Sequence, residues 1–371
     1  MGGSAELVRI DPDELDAFLV LNASGLSPLR QRALLEAFGT ARGVLEAGDA
    51  EFAQVDGLRA AHITRLRNAR ATLDPEAMRA RCEALGVTPV PCTSPDYPPL
   101  LGETSDMPPL LFVQGGFERR DELSVALVGT RRCSAYGLTM ARRLSEDLAR
   151  RGFTIVSGMA LGVDAEAHTA ALEAGGRTIA VMASGPDITY PRQHRQLRSE
   201  IGAQGAVVTE FALGTEPIRE RFPARNRIIS GLSLGVIVVE APEKSGALIT
   251  ARLAAEQGRE VFAVPGDVTR PESRGCHALI KDGAQLVEFA EDVVAGLGIL
   301  LEAVPERKPV PTDDLPVDEK AILETLSHEP RHVDDVVARC GLQAGQVSAG
   351  LMMLEMKGLV RRLPGSTFVR M

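Results

Sequence analysis

The residues best placed to do chemistry are two consecutive arginines, Arg131 and Arg132, which follow Gly129-Thr130 at the end of the apolar run Leu123-Ser124-Val125-Ala126-Leu127-Val128. A short Val- and Leu-rich run bounded by Gly reads as a strand buried on both faces, the kind that builds parallel sheets. A helical pattern follows from about Ala135 to Arg151. In open α/β sheets ligands sit at the carboxyl ends of the strands, where turn N–H groups and a helix N-terminus favour anions. Gly129, Thr130 and Arg131 therefore predict a phosphate-facing site, with Arg131 at the head of the first helix. The plainer reading is a solvated turn that happens to carry charge.

The anion is not a dinucleotide phosphate. A dinucleotide site wants G-x-G-x-x-G in this turn and an acid at the end of the second strand for the ribose. Here the turn reads G-T-R-R-C-S, and the second strand, Phe153-Thr154-Ile155-Val156, runs into Ser157-Gly158-Met159-Ala160. No G-x-x-x-x-G-K-[ST] occurs either, which removes the P-loop class.

More cations follow the later strands. Arg192, His194, Arg195 and Arg198 come after the third, and Arg219, Arg221, Arg225 and Arg227 after the fourth, with Phe222 among them in a chain that has 11 Phe, 3 Tyr and no Trp. Arginines interleaved with an aromatic suit a single-stranded nucleic acid, cations on phosphates and a ring on a base. Two other roles stay open: a solvated helix face for Arg195 and Arg198, and a core anchor before Pro223 for Phe222.

The elements that must position these groups follow from the rest of the chain. With 371 residues and 44% hydrophobic content it can build two or three domains around sizeable cores. A net charge of −9 offers polyanions no global attraction, so any such partner must be held locally. Five scattered cysteines without a C-x-x-C pair fit a reducing compartment and argue against structural zinc or a disulfide framework. No signal peptide or membrane-spanning run is apparent, and a cytoplasmic protein with no membrane partner is expected.

Residues 1–85 read as a helical domain. Leu34–Leu45 gives helix, Gly turn, helix, and Val55-Asp56-Gly57-Leu58 before Ala60–Ala71 gives a second such turn. A helix-hairpin-helix of this kind can offer N–H groups to DNA phosphates; a SAM-like packing module is the alternative. Pro89, Pro91, Pro95, Pro98 and Pro99 predict an irregular connection into an α/β domain spanning 86–300. Its further strands are expected at Thr178–Met182, Ala206–Thr209, Val236–Glu240 and Val261–Val264, with helices at Val163–Glu173, Arg192–Ile201 and Leu248–Glu256. A Pro-rich linker, 301–316, leads to three helices and a two-stranded wing over 317–371, the pattern of a winged helix. The third helix, Ala344–Lys357, carries almost no cations, which favours a protein-contact role over operator binding by a transcriptional regulator.

Taken together, Val128-Gly129-Thr130-Arg131-Arg132, Ser157–Asp164, Phe222-Pro223-Ala224-Arg225-Asn226-Arg227, Glu240–Ala251 and Val264-Pro265-Gly266 resemble, in order, the DNA processing protein A (DprA, also called Smf) family. The resemblance implies a Rossmann-like sheet with a helical SAM-like appendage and a winged helix. It implies a protein without catalytic activity or cofactor, which binds and protects single-stranded DNA in natural transformation and loads the RecA recombinase, displacing single-strand-binding protein. It also implies a homodimer through the later part of the sheet, expected within Cys276–Phe289. By the same resemblance Arg131 and Arg219 hold phosphates, Arg192 occupies a further cationic position, and Phe222 presses on a base. Gly129, Thr130, Ser157, Gly158, Met159, Arg225, Asn226, Ser245 and Gly246 complete the site. Arg stands at 192 and 219 where the family often has Lys, keeping the charge but offering a planar fork.

The competing class is a nucleotide-cleaving phosphoribohydrolase on a related fold. It needs a P-G-G-x-G-T loop, and Glu240-Ala241-Pro242-Glu243-Lys244-Ser245-Gly246-Ala247 stands in that place without the double Gly. Asp164 and His168, at i, i+4 spacing, offer that reading a metal or acid–base pair, but with no third ligand or nucleophile nearby they fit a helix N-terminal acid and a buried or capped His better.

Overall fold

The computed structural model describes residues 11–299, 315–327, 330–357, 359–363 and 365–370; most of the expected linker, residues 301–314, lies outside them. The N-terminal helices are α1 (Pro12–Ala23), α2 (Pro28–Phe38), α3 (Ala41–Glu46), α4 (Asp49–Phe52), α5 (Ala60–Thr72) and α6 (Pro75–Ala84). The predicted Gly turn between α2 and α3 is present, with Gly39 at φ 79°. Its donors, however, are taken: the Glu14 carboxylate accepts from the N–H groups of Ala41 (2.7 Å) and Arg42 (3.1 Å). A hairpin already holding a carboxylate has little left to offer a phosphate.

The centre is a nine-stranded sheet in the order β1-β2-β6-β5-β4-β3-β7-β8-β9. Its strands are β1 (Val87–Pro91), β2 (Leu110–Gly115), β3 (Ser124–Val128), β4 (Thr154–Ser157), β5 (Arg177–Val181), β6 (Ala206–Thr209), β7 (Gly235–Val238), β8 (Glu260–Ala263) and β9 (Gln285–Leu286). From β6 to β9 all pairings are parallel, while β1–β2 and β2–β6 are antiparallel. The Pro-rich stretch is thus not irregular throughout. Pro89 and Pro91 lie in the edge strand β1, where a missing N–H leaves the ladder intact. The N-terminal helices are not packed apart from the sheet, because Ala17, Phe18 and Leu19 of α1 share a core with Val87, Leu110 and Phe112.

Helices cover both faces: α7 (Pro99–Gly102), α8 (Ala135–Arg150), α9 (Val163–Glu173), α10 (Arg195–Gln204), α11 (Arg221–Gly231), α12 (Gly246–Glu256), α13 (Arg274–Lys281) and α14 (Ala290–Gly296). Arg192–His194, expected to open a helix, forms a separate short 3-10 turn ahead of α10. Strand alternation sorts β3 between two cores. Val125 and Leu127 pack with Leu144 and Leu148 of α8, whereas Ala126 and Val128 pack with Ile228 and Ile229 of α11. Every residue of β3 is buried, as a central parallel strand requires.

Past the linker, α15 (Val317–Thr325), α16 (Val333–Cys340) and α17 (Ala344–Met356) pack around Ile322, Val336, Val347 and Leu351. The strands β10 (Arg331–His332), β11 (Val360–Leu363) and β12 (Thr367–Arg370) complete a winged helix in the order β10-β12-β11.

Candidate functional site

The two turns at the tops of β3 and β4 are pressed together. A Cβ on Gly129 would overlap Val163, and one on Gly162, at φ 79°, would overlap the Thr130 carbonyl. The Val163 N–H meets that same carbonyl at 3.4 Å. Close backbone approach of this kind is what Gly permits.

Beside these turns, over the ends of β4 and β5, a cleft of about 410 Å³ including its mouth is lined by Arg131, Gly158, Leu161, Tyr190, Pro217 and Phe222 among others. The Arg131 guanidinium lies 4.7 Å from the Phe222 ring centroid. The Tyr190 ring is 5.7 Å from the same ring at an interplanar angle of 58°. Arg131 and Tyr190 are exposed and Phe222 half-buried, so a cation and two aromatic faces meet solvent together. Phe222 is therefore a cleft wall rather than the core anchor that its place before Pro223 also allowed. Arg192 and Arg219, both exposed, stand next in sequence to or near the lining residues Pro191 and Pro217.

The other predicted residues have different placements. Ser157 is fully buried, its hydroxyl donating to the Leu127 carbonyl at 2.6 Å to lock β4 to β3. The Met159 side chain is buried, while its backbone, at φ 58°, offers a carbonyl to His194 Nδ1 at 3.0 Å. Arg225 lies under the cleft floor, 3% exposed, donating from Nη1 to the Val181 carbonyl at 2.8 Å. A Cβ on Gly158 would overlap that guanidinium. Burial lowers Arg225 to about 10 and raises the Asp164 carboxyl, although each charge favours the other. Arg225 remains a cation near neutrality but is walled off from solvent. Asn226, Ser245 and Gly246 form a separate group: Asn226 Nδ2 donates to the Gly246 carbonyl at 3.3 Å, and Ser245 caps α12.

The head of α8 differs from expectation. Its N-cap is Ser134, and the groove that would receive an anion is filled by the Glu240 carboxylate, which accepts from Ser134 N at 2.9 Å and Ser134 Oγ at 3.2 Å. Arg131 thus stands clear of the α8 head and faces Phe222. Two further arginines are braces rather than ligands. Arg198 reaches the Pro186 carbonyl, Thr189 Oγ1 (3.0 Å) and Gln114 Oε1 (3.2 Å), which corrects its reading as a solvated face. Arg227 is buried against Glu210. Asp164 and His168 do not converge as a pair, since Asp164 accepts from Ala160 N at 3.3 Å and His168 Nδ1 meets Thr178 Oγ1 at 2.6 Å.

Tyr190 and Leu161, together with Ala160, Met182, Ala183, Pro191 and Pro217, are cleft residues that sequence reasoning did not single out as site residues. Tyr190 left a signal, being one of three tyrosines and directly ahead of Pro191-Arg192. Leu161 left none.

A mostly parallel Rossmann-like sheet, a cation–aromatic cleft over its strand ends and a C-terminal winged helix define a class of α/β protein whose usual dinucleotide seat is closed. Residues 89–298 match the DNA recombination-mediator protein A family, and 306–366 match the DprA winged helix domain. The chain belongs to the DNA recombination-mediator protein A family. Protein Smf of Synechocystis sp. is 36% identical over 93% of this chain and 96% of its own length. DNA processing protein DprA of Streptococcus pneumoniae is 46% identical over 54% of this chain and 70% of its own. The X-ray structure of the S. pneumoniae protein superposes with a TM-score of 0.69 at 35% identity, covering 80% of this chain and all of that one. A Helicobacter pylori DNA processing protein A structure, described in terms of its single-stranded DNA binding mode, gives a TM-score of 0.51 at 31% identity over 57% of this chain and 95% of that one.

Proposed function

We propose that the protein binds single-stranded DNA without strong sequence preference in the Arg131–Tyr190–Phe222 cleft, and that it delivers such strands to the RecA recombinase in natural transformation. The observation that carries this reading is the juxtaposition of one exposed guanidinium with an exposed Tyr190 ring and a half-buried Phe222 ring, a combination that meets a phosphate and an unstacked base together. Arg131, Arg192 and Arg219 hold phosphates, Phe222 and Tyr190 receive bases, the Gly158 turn lines the cleft, and the Gly129-Thr130 turn positions Arg131 beside it. Ser157, Met159 and Arg225 act from beneath by fixing those turns, while Asn226, Ser245 and Gly246, grouped apart at the head of α12, offer a further contact for the strand beyond the cleft. The reading agrees with the DNA-processing names of the relatives and with the single-stranded DNA binding described for the H. pylori protein.

The winged helix supports an accessory role. Among its described residues, α17 presents Met352, Met353 and Met356 to solvent, and wing residue Arg361 is bonded to Glu166 of α9. The test is binding of labelled oligo-dT and of an equally long duplex across a salt series. Preference for the single strand, with affinity falling steeply as salt rises, is expected. Equal or tighter duplex binding would overturn the proposal.

A further inference from the structure

In an open α/β sheet the ligand crevice lies where the chain reverses its direction of strand addition. Here the chain adds β4, β5 and β6 on one side of β3, then returns to add β7 and β8 on the other. The reversal therefore falls between β3 and β7. The cation–aromatic cleft is not there; it lies over β4 and β5. What stands at the reversal is Glu240, two residues past the end of β7.

Glu240 is 4% exposed. Its side chain occupies the position a phosphate takes at a helix head, bonded to the Ser134 N–H and hydroxyl ahead of α8. Gly137, in the first turn of α8, makes the room: a Cβ there would overlap Oε2 of Glu240. The backbone closes the crevice further, because Thr130 N donates to the Glu240 carbonyl at 2.7 Å. A helix head, a small residue cut to fit an anion, and an anion in place are three separate features of one seat, and the occupant comes from the chain itself.

We infer that Glu240 is the specificity-determining residue of the sheet: a built-in carboxylate that fills the phosphate seat at the β3–β7 reversal, denies it to free mononucleotides and dinucleotides, and leaves the β4–β5 cleft as the place where phosphate is met. Its role in favouring strands over free nucleotides rests on the binding proposed above; the occupation of the seat does not. Removing the side chain frees the Ser134 N–H and hydroxyl and opens a space of carboxylate size. The Thr130 bond survives, since it uses the Glu240 backbone, so the Arg131 turn keeps its anchor.

The experiment compares wild type, Glu240→Ala and Glu240→Gln by thermal melting in inorganic phosphate, in AMP, and in chloride at matched ionic strength. Glu240→Ala should gain about 2–4 °C in phosphate well above its dissociation constant, with a similar gain in AMP. Wild type and Glu240→Gln, in which the seat stays filled, should show only the gain that the open cleft gives all three proteins alike, so the excess in Glu240→Ala reports the seat. A folded Glu240→Ala that ignores both anions overturns the inference, as does a wild type that responds equally. If Glu240→Ala is unfolded in chloride, recovery of its circular dichroism in phosphate supports the inference. Failure of both Glu240→Ala and Glu240→Ser to recover overturns it. Oligo-dT plays no part in this readout, so the cleft and the seat can fail separately.

Discussion

At the scale of single residues, the cleft couples two contacts that the sequence presents as independent. Arg131 rests over the Phe222 ring, so the ring face it covers becomes available to a base only when the guanidinium moves toward a phosphate. Arg131→Ala should weaken oligo-dT binding and lower the salt slope by about one unit or less. Phe222→Ala should weaken binding by about 1–3 kcal/mol with the slope nearly unchanged. Because the two groups touch, the double variant should lose less than the sum of the singles, with a coupling of about 0.5 kcal/mol or more. Strict additivity in that cycle, measured by fluorescence anisotropy, would mean that the pair does not act as a unit. Phe222 is only half-buried, so its truncation should leave the melting temperature close to that of wild type, unlike a core Phe.

At the scale of elements, α9 carries a buried imidazole against β5. His168 is fully buried, with Nδ1 on Thr178 Oγ1, and Thr178 in turn donates to the Ile155 carbonyl at 2.6 Å. That hydroxyl is left to accept from His168, which fixes the Nδ1–H tautomer. Burial, reinforced by the charges of Arg225 and His194, pushes the imidazole down to about 3 from its usual 6.5. The unfolded chain therefore takes up this proton first as pH falls. Stability is full above about pH 6.5 and declines through the window down to about 3, by at most about 1.4 kcal/mol per pH unit. The buried carboxyls Asp164, Glu210 and Glu240 are raised by burial and act in the opposite sense, gaining relative stability on acidification. The informative quantity is therefore the difference between wild type and His168→Gln. The variant should melt with a visibly flatter dependence between about pH 7 and 5; parallel curves would show that His168 titrates freely.

At the scale of the molecule, the sheet ends, among the described residues, in the edge strand β9. Both residues of β9 are exposed, Leu286 at 45%, and Phe289 just after it is 45% exposed as well. Cys276, at the start of the segment expected to dimerise, is core instead, while Lys281–Gly283, both residues of β9 and Phe289 are exposed. An exposed apolar edge invites pairing with another chain. Wild type should sediment as a dimer at micromolar concentration, and Leu286→Lys as a monomer whose affinity for long oligo-dT falls by about 10²-fold through lost avidity. A monomeric wild type, with or without oligonucleotide, would remove this edge as the interface.

The sequence alone determined the parallel part of the sheet, from β6 to β8, because buried Val- and Leu-rich runs alternating with helices have few other solutions, and β6 and α9 lie on the residues predicted; the antiparallel β1 and β2 it did not. It also determined which residue types could meet phosphate and base. It could not show β1 or β9, since a Pro-bearing edge strand and a two-residue strand carry too little periodicity to stand out, and β2, whose Leu110-Leu111-Phe112-Val113 run is apolar and buried, also lies outside the strands expected from the sequence. Nor could it separate the arginines. Arg225 and Arg219 are alike in type and sit six positions apart, yet one is buried beneath Gly158 and the other is exposed, a difference made by a helix face and a neighbour without a side chain. The identity of the anion at the head of α8 was likewise beyond one-dimensional reading. Ser134 and Glu240 are separated by 106 positions, and only the pairing of β3 with β7 brings the carboxylate onto the helix.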